Sequence, residues 1–252
     1  MPTTPGLIIV AAASELAAVL RGVGAAEPAG LRDFQTVHIA ERWWAVRSGV
    51  GKVNAALCAE RCATGRAFAS VINLGVCGTL PIDSATPPAL LDIVLADASV
   101  YADEGIAAPS GFTSIDAAGF GPGGTPRPGV DADFPGMGLP GDAALCSAID
   151  AALAPRGLSA RRGAIATVST CSGIDALARD IAARTGAIAE AMEGAAIAHA
   201  LARRPRTDGP PPAFAECRVV SNTTGDRHKQ VWDLRGALDR LAAVAGAICS
   251  GT

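Results

Sequence analysis

Two carboxylates and an amide stand where this chain could do chemistry. Glu193 lies inside Glu190-Ala-Met-Glu-Gly-Ala-Ala-Ile-Ala-His199, where an apolar run passes into an Ala-rich one. Asn222 closes Arg218-Val-Val-Ser-Asn222, with Ser221 beside it. Glu15 comes soon after the first apolar run, Leu7-Ile-Ile-Val-Ala11. Each sits where a strand would hand over to a helix or loop, and in open α/β sheets ligands collect beyond those carboxyl ends. Each also has an ordinary explanation. Glu15 and Glu193 suit the positive end of a helix dipole, and Asn222 suits a turn. Apolar surroundings make an idle charge at Glu193 expensive, which favours function there. A further polar element is Gly49-Val-Gly-Lys-Val-Asn54, between a strand and a helix. It matches a dinucleotide fingerprint weakly, because Asn54 stands in place of the third glycine.

The elements that must position these residues alternate between strand and helix. Leu7–Ala11 has no helical period and reads as a buried strand. Ser14 is placed to cap a helix over Glu15–Arg21. Strands follow at 36–40 and 43–48, then a helix over roughly 53–65, a strand Val71–Leu74 ending in Gly75-Val-Cys-Gly78, and a strand Asp92–Ala98. Residues 105–142 are rich in Gly and Pro, show no period and read as one long flexible loop region, the kind that is usually functional or disordered. Helices are expected at Ala143–Leu153, Asp175–Thr185, Gly194–Ala202 and Leu234–Cys249. Strands are expected at Arg162–Ser169, Ala187–Ala191 and Ala213–Ser221. Arg206–Pro212 reads as a Pro-rich surface connection. The alternation predicts a single domain over 1–252, a three-layer α/β/α fold with a central mixed β-sheet.

Composition narrows the classes. The 252 residues are 50% hydrophobic with a net charge of −3, enough for a large core without disulfide or metal. The basic clusters are short, so no nucleic-acid partner is expected. Seven cysteines (Cys58, Cys62, Cys77, Cys146, Cys171, Cys217 and Cys249) are odd in number, with no CxxC pair. They read as reduced thiols of a cytoplasmic protein. The apolar run Leu7–Ala13, broken by Ser14 and Glu15, is too short to span a membrane.

Five segments resemble the methylthioadenosine/S-adenosylhomocysteine nucleosidases, in the same order over nearly the whole chain. They are Gly49-Val-Gly-Lys-Val-Asn-Ala-Ala56, Asn73-Leu-Gly-Val-Cys-Gly78, Asp92-Ile-Val, Met192-Glu-Gly-Ala-Ala-Ile-Ala-His199 and Arg218-Val-Val-Ser-Asn222. Within that superfamily the details are similar to the futalosine hydrolases. These details are Tyr101-Ala-Asp-Glu-Gly105, Gly111-Phe112 with Gly119-Phe120, Thr167-Val-Ser-Thr-Cys-Ser-Gly173, and Ser221-Asn222 followed by Asp226-Arg227 and Trp232. The adenosine-type enzymes carry Asp where this chain has Asn222. An amide NH₂ can donate to the oxygen of a 6-oxopurine or to its N7, whereas a carboxylate only accepts. Asn222 therefore suits hypoxanthine as the leaving base.

The resemblance implies a purine nucleoside phosphorylase-like fold and hydrolysis of futalosine in menaquinone biosynthesis. It implies that Glu15 orients or deprotonates the attacking water and that Glu193 accepts from the ribose hydroxyls. Met192 would pack on the sugar, and Ser221 and Asn222 would lie at the base. The backbone of Val76, Cys77, Gly78, Thr170 and Cys171 would line the base pocket. Asp226 is a candidate acid for the leaving base, although a local cap or ion-pair role suits it better. Trp232 reads as a packing anchor for the last helix, with a place at the border of the site as the alternative. Lys52 and Arg227 are candidate partners for the carboxylate on the substrate's 5′ extension. No metal or organic cofactor is implied. A homodimer or higher homo-oligomer is, with 105–142 as a loop that could close a neighbour's pocket. The rivals are a methylthioadenosine/S-adenosylhomocysteine nucleosidase, a purine nucleoside phosphorylase and a non-catalytic nucleoside-binding protein.

Overall fold

The computed structural model describes residues 4–82, 86–120, 137–204 and 210–251. Strand β1 (Gly6–Val10) is buried at every position, as a non-alternating apolar run covered on both faces should be. Helix α1 (Ala13–Val23) has Ala12 at its N-cap, so Ser14 lies inside the helix and does not cap it. The Glu15 carboxylate does that work instead, accepting from the N–H groups of Ala11 and Ala12 at 2.9 Å each. Strands β2 (Val37–Ala40) and β3 (Trp43–Arg47) pair antiparallel, and α2 (Lys52–Gly65) follows the Gly-rich turn.

Strand β4 (Ser70–Thr79) runs on through Gly75 and Gly78, five residues beyond the expected end. Strand β5 (Ile93–Tyr101) leads to an exposed hairpin, β6 (Gly105–Ala108) and β7 (Gly111–Ser114), where the sequence suggested only loop. Strand β8 (Gly138–Pro140) ends the same region by pairing with β5. The rest of the expected loop, 121–136, lies outside the described residues, as do 205–209 of the Pro-rich connection. Then come α3 (Ala143–Leu153), β9 (Ala160–Thr167), α4 (Asp175–Thr185), β10 (Ala187–Ala191), α5 (Gly194–Ala202), β11 (Ala213–Thr223) and α6 (Leu234–Gly251).

The strands other than the hairpin form one mixed sheet in the order β10-β9-β5-β11-β4-β1-β3-β2, with β8 beside β5. Helices α1, α3 and α6 pack on one face and α2 and α5 on the other, giving the three layers. The sheet does not stay open. β10 also pairs with β4, placing Glu190 opposite Gly78, so β4, β11, β5, β9 and β10 close into a ring. Short side chains fill its centre, among them Cys77, Ala96, Ala189 and Val220, because a small closed sheet leaves little room inside. Among the described residues, no helix is long and apolar enough to cross a membrane.

Candidate active site

The carboxyl ends of β1, β4, β10 and β11 open on one cavity of about 460 Å³. It gathers Glu15, Met192, Glu193, Ser221 and Asn222, together with the Val76–Gly78 segment and Cys171. Chain distance between these residues is large, and the sheet order alone makes them neighbours.

Glu15 is held by three backbone donors. Ala11 and Ala12 serve Oε2, and the Val76 N–H donates to Oε1 at 2.9 Å. Burial pushes its carboxyl up from the ordinary value, while Arg218 and these N–H groups pull the other way. Gly75 lies directly beneath. A Cβ there would stand 2.5 Å from Glu15 Oε1 and 2.6 Å from an Arg218 nitrogen, so the site needs glycine at that place.

Arg218 is the centre of a buried polar network. Its guanidinium donates to Glu216 Oε1 at 2.9 Å, to Glu193 Oε2 at 3.0 Å and to Asn73 Oδ1. Glu216 takes the Ser99 hydroxyl on its other oxygen. Burial works against the Arg218 charge, but the carboxylates of Glu216, Glu193 and Glu15 outweigh it and hold the group protonated. Burial also pushes the Glu216 carboxyl up. Glu193 is pinned from a second side, because the Gly51 N–H donates to its Oε1 at 3.0 Å. The Gly-rich turn that resembled a dinucleotide fingerprint thus hydrogen-bonds an acid of this chain.

The network explains the glycine after Glu193. A Cβ on Gly194 would fall inside the Glu216 carboxylate. Gly194→Ala is therefore expected to lower stability by roughly 1–3 kcal/mol through overpacking. The Gly194→Ala loss should shrink when measured in a Glu216→Ala background, a comparison that thermal melts of both single variants and the double variant would settle. An additive result in the double variant would sink the explanation.

Polar groups also line the other part of the cavity. A register shift between Val220 and Asn222 makes Ser221 the bulged residue of β11. Bulges commonly re-aim side chains beside active sites. The Ser221 hydroxyl lies 3.1 Å from the Cys77 carbonyl oxygen and 2.9 Å from Asn222 Oδ1. Asn222 Nδ2 donates to the Thr223 carbonyl at 2.9 Å, leaving one N–H. Glu190 also lines the cavity and is buried, with Oε1 accepting from the Ser172 N–H at 2.9 Å and Oε2 from the Ser172 hydroxyl at 2.6 Å. Burial pushes its carboxyl up, and the Ser172 bonds oppose that. Burial likewise pushes up the thiols of Cys77 and Cys171, which therefore lack the character of nucleophiles. Among the described residues, no group of His, Cys, Asp and Glu could hold a metal ion.

The structure decides between the readings open for four residues. Asp226 is not on the cavity wall. It accepts from the Asp175 N–H at 3.0 Å while Asp175 accepts its own N–H at 2.8 Å, a reciprocal brace at the start of α4. The Lys229 ammonium at 2.8 Å holds its carboxyl below the ordinary value, so it stays ionised and has no proton to give. Thr170 is exposed and off the wall, its N–H turned to Asp103 at 3.3 Å. Lys52 pairs with Asp103 and Glu104, which spends its charge within the chain. Trp232 is half exposed and lies on the cavity wall, which favours the border-of-site alternative over the buried anchor, and the Arg227 guanidinium stacks 5.0 Å from its ring centre.

Sequence reasoning gave no role to Glu190, Glu216, Arg218 or Ser172. A signal existed for one pair. Glu216 and Arg218 are two apart in the otherwise apolar run 213–220, so they share a face and must satisfy each other there.

The sequence model of the phosphorylase superfamily matches residues 7–251. The futalosine hydrolase of Acidothermus cellulolyticus is 34% identical over 254 residues, covering 97% of this chain and 91% of that protein. The futalosine hydrolase of Streptomyces coelicolor is 30% identical over 249 residues, covering 96% and 94%. The structure of futalosine hydrolase from Helicobacter pylori superposes with a TM-score of 0.67 at 16% identity, covering 98% of this chain and 96% of that one.

Proposed function

The chain belongs to the phosphorylase superfamily and groups there with the futalosine hydrolases, and from that membership we propose that it cleaves the N-glycosidic bond of futalosine with water, releasing hypoxanthine and dehypoxanthine futalosine on the futalosine route to menaquinone. One observation carries the reaction type. A carboxylate held by three backbone N–H groups, Glu15, shares a cavity with a second carboxylate, Glu193, fixed by Arg218 and Gly51. In this reading Glu15 takes the proton of the attacking water, and Glu193 accepts from the ribose hydroxyls. Both negative charges favour the oxocarbenium-like transition state of glycoside cleavage. Met192 packs on the sugar, and the spare N–H of Asn222 donates to the purine at O6 or N7.

Water is preferred to phosphate because a phosphate would need unspent cationic donors. Arg218 is committed to Glu216 and Glu193 and Arg47 to Asp33, Arg227 on the cavity wall stacks over Trp232 and donates to Gln230, and an acid stands at the attack position. The proposed setting is the cytoplasm, in keeping with seven free thiols. The proposed assembly is a homo-oligomer. Val50, Val53 and Leu57 expose an apolar face at the start of α2 beside the cavity, and the exposed β6–β7 hairpin lies in the region expected to meet a neighbour.

The test is an end-point assay of free base from futalosine, methylthioadenosine and inosine, with and without phosphate. Hypoxanthine from futalosine, independent of phosphate, is the expected result. Adenine from methylthioadenosine with futalosine untouched would overturn the substrate assignment while leaving the hydrolytic pair in place.

A further inference from the structure

Glu190 is the buried acid that the hydrolytic reading leaves without work. It faces the cavity, and among the described residues no cation pairs with it. A buried carboxylate without a counter-charge is costly unless donors satisfy it. Ser172 supplies two donors, one to each oxygen. A carboxylate has about four acceptor sites, so each oxygen keeps capacity for another donor.

Its position relative to Asn222 is set by the sheet. Gly78 of β4 is paired with Glu190 of β10 on one side and with Asn222 of β11 on the other. A Cβ on Gly78 would stand 3.1 Å from Asn222 Nδ2 and 3.6 Å from Glu190 Cγ, so both side chains rise on the same face over the bare glycine. Both side chains therefore converge above Gly78, side by side, as the adjacent O6 and N1–H on one edge of a 6-oxopurine require.

We propose that Glu190 accepts the N1–H of a 6-oxopurine and is the residue that rejects adenine; the inference rests on the hydrolase reading above. A 6-oxopurine presents a donor at N1 beside an acceptor at O6, and adenine presents the reverse. Glu190 as acceptor and the Asn222 N–H as donor match the first order. Against adenine they give acceptor facing acceptor and donor facing donor. The Asn222 amide could turn over to suit adenine, at the loss of its bond to the Thr223 carbonyl. The Ser172 N–H and hydroxyl, one on each oxygen, hold Glu190 in its accepting form against the burial that opposes ionisation, so Glu190 is the firmer discriminator.

Two measurements test this. The first compares binding of hypoxanthine and 1-methylhypoxanthine to the parent protein by calorimetry. Hypoxanthine should bind at least roughly ten-fold tighter, the scale of one lost charge-assisted hydrogen bond. The second measures kcat/KM of the parent and Glu190→Gln on futalosine and on its adenine-bearing counterpart. The variant should lose roughly 10–100-fold on futalosine, mainly in KM, and its preference for futalosine should narrow. Equal binding of the two free bases would overturn the inference, and needs no variant to fold. So would a folded Glu190→Gln variant with the parent's preference. A parent that binds hypoxanthine selectively but leaves futalosine intact would sink the hydrolase reading and keep the N1 contact.

Discussion

Glu15→Gln lowers kcat on futalosine by roughly 10²–10⁴-fold if Glu15 is the base that activates water. The amide oxygen can still accept backbone N–H groups, but the new NH₂ meets at least one of the three donors now aimed at the carboxylate. That conflict costs about 1–3 kcal/mol, which a typical domain withstands. The pH profile separates base catalysis from mere structural damage. Burial raises the Glu15 carboxyl, so the parent's kcat/KM should fall on the acid side from a point above the usual glutamate range. The variant should have lost that limb along with its rate. Turnover at the parent rate, or an unchanged acid limb, would remove Glu15 from the role.

Arg218→Leu is the larger test of stability. It leaves Glu216 and Glu193 buried without their ion-pair partner. Breaking one side of a buried pair costs about 3–5 kcal/mol. The loss should depend on pH with a definite sign. Arg218 lowers the carboxyls of Glu15 and Glu216 against the burial that raises them. Without it, the folded variant holds protons on these acids to higher pH, while the unfolded chain ionises near ordinary values. The folded state then binds more protons above the unfolded value, and stability falls as pH rises through that window. Denaturant melts at pH 5.5 and pH 8 should show the variant closer to the parent at the lower pH. An Arg218→Leu protein within 1 kcal/mol of the parent at both would show that the acids are already neutral and need no cation.

Most helices were readable in outline. Asp175–Thr185, Gly194–Ala202 and Ala143–Leu153 have the bounds expected from the sequence. The strands ran longer than expected where glycine interrupted the apolar pattern. Gly75 and Gly78 look like a loop in sequence, but their backbone still pairs with β11, and their missing side chains make room for Glu15, Arg218, Asn222 and Glu190. The β6–β7 hairpin was hidden because its residues are mostly exposed, so no apolar alternation marks it.

Residue type and local order determined the family resemblance, the alternation of strand and helix, and the placing of Glu15, Glu193 and Asn222 at strand ends. Those are properties of neighbours in the chain. Only the tertiary structure decided that β10 doubles back onto β4 and closes a ring, because strand pairing depends on contacts between distant segments. That closure sets Glu190 across Gly78 from Asn222 and buries Arg218 among its acids. It also turned Asp226 and Lys52 from candidates into braces. A charge is available to a substrate only if no nearer group of the fold has already taken it, and the sequence does not record which group is nearest.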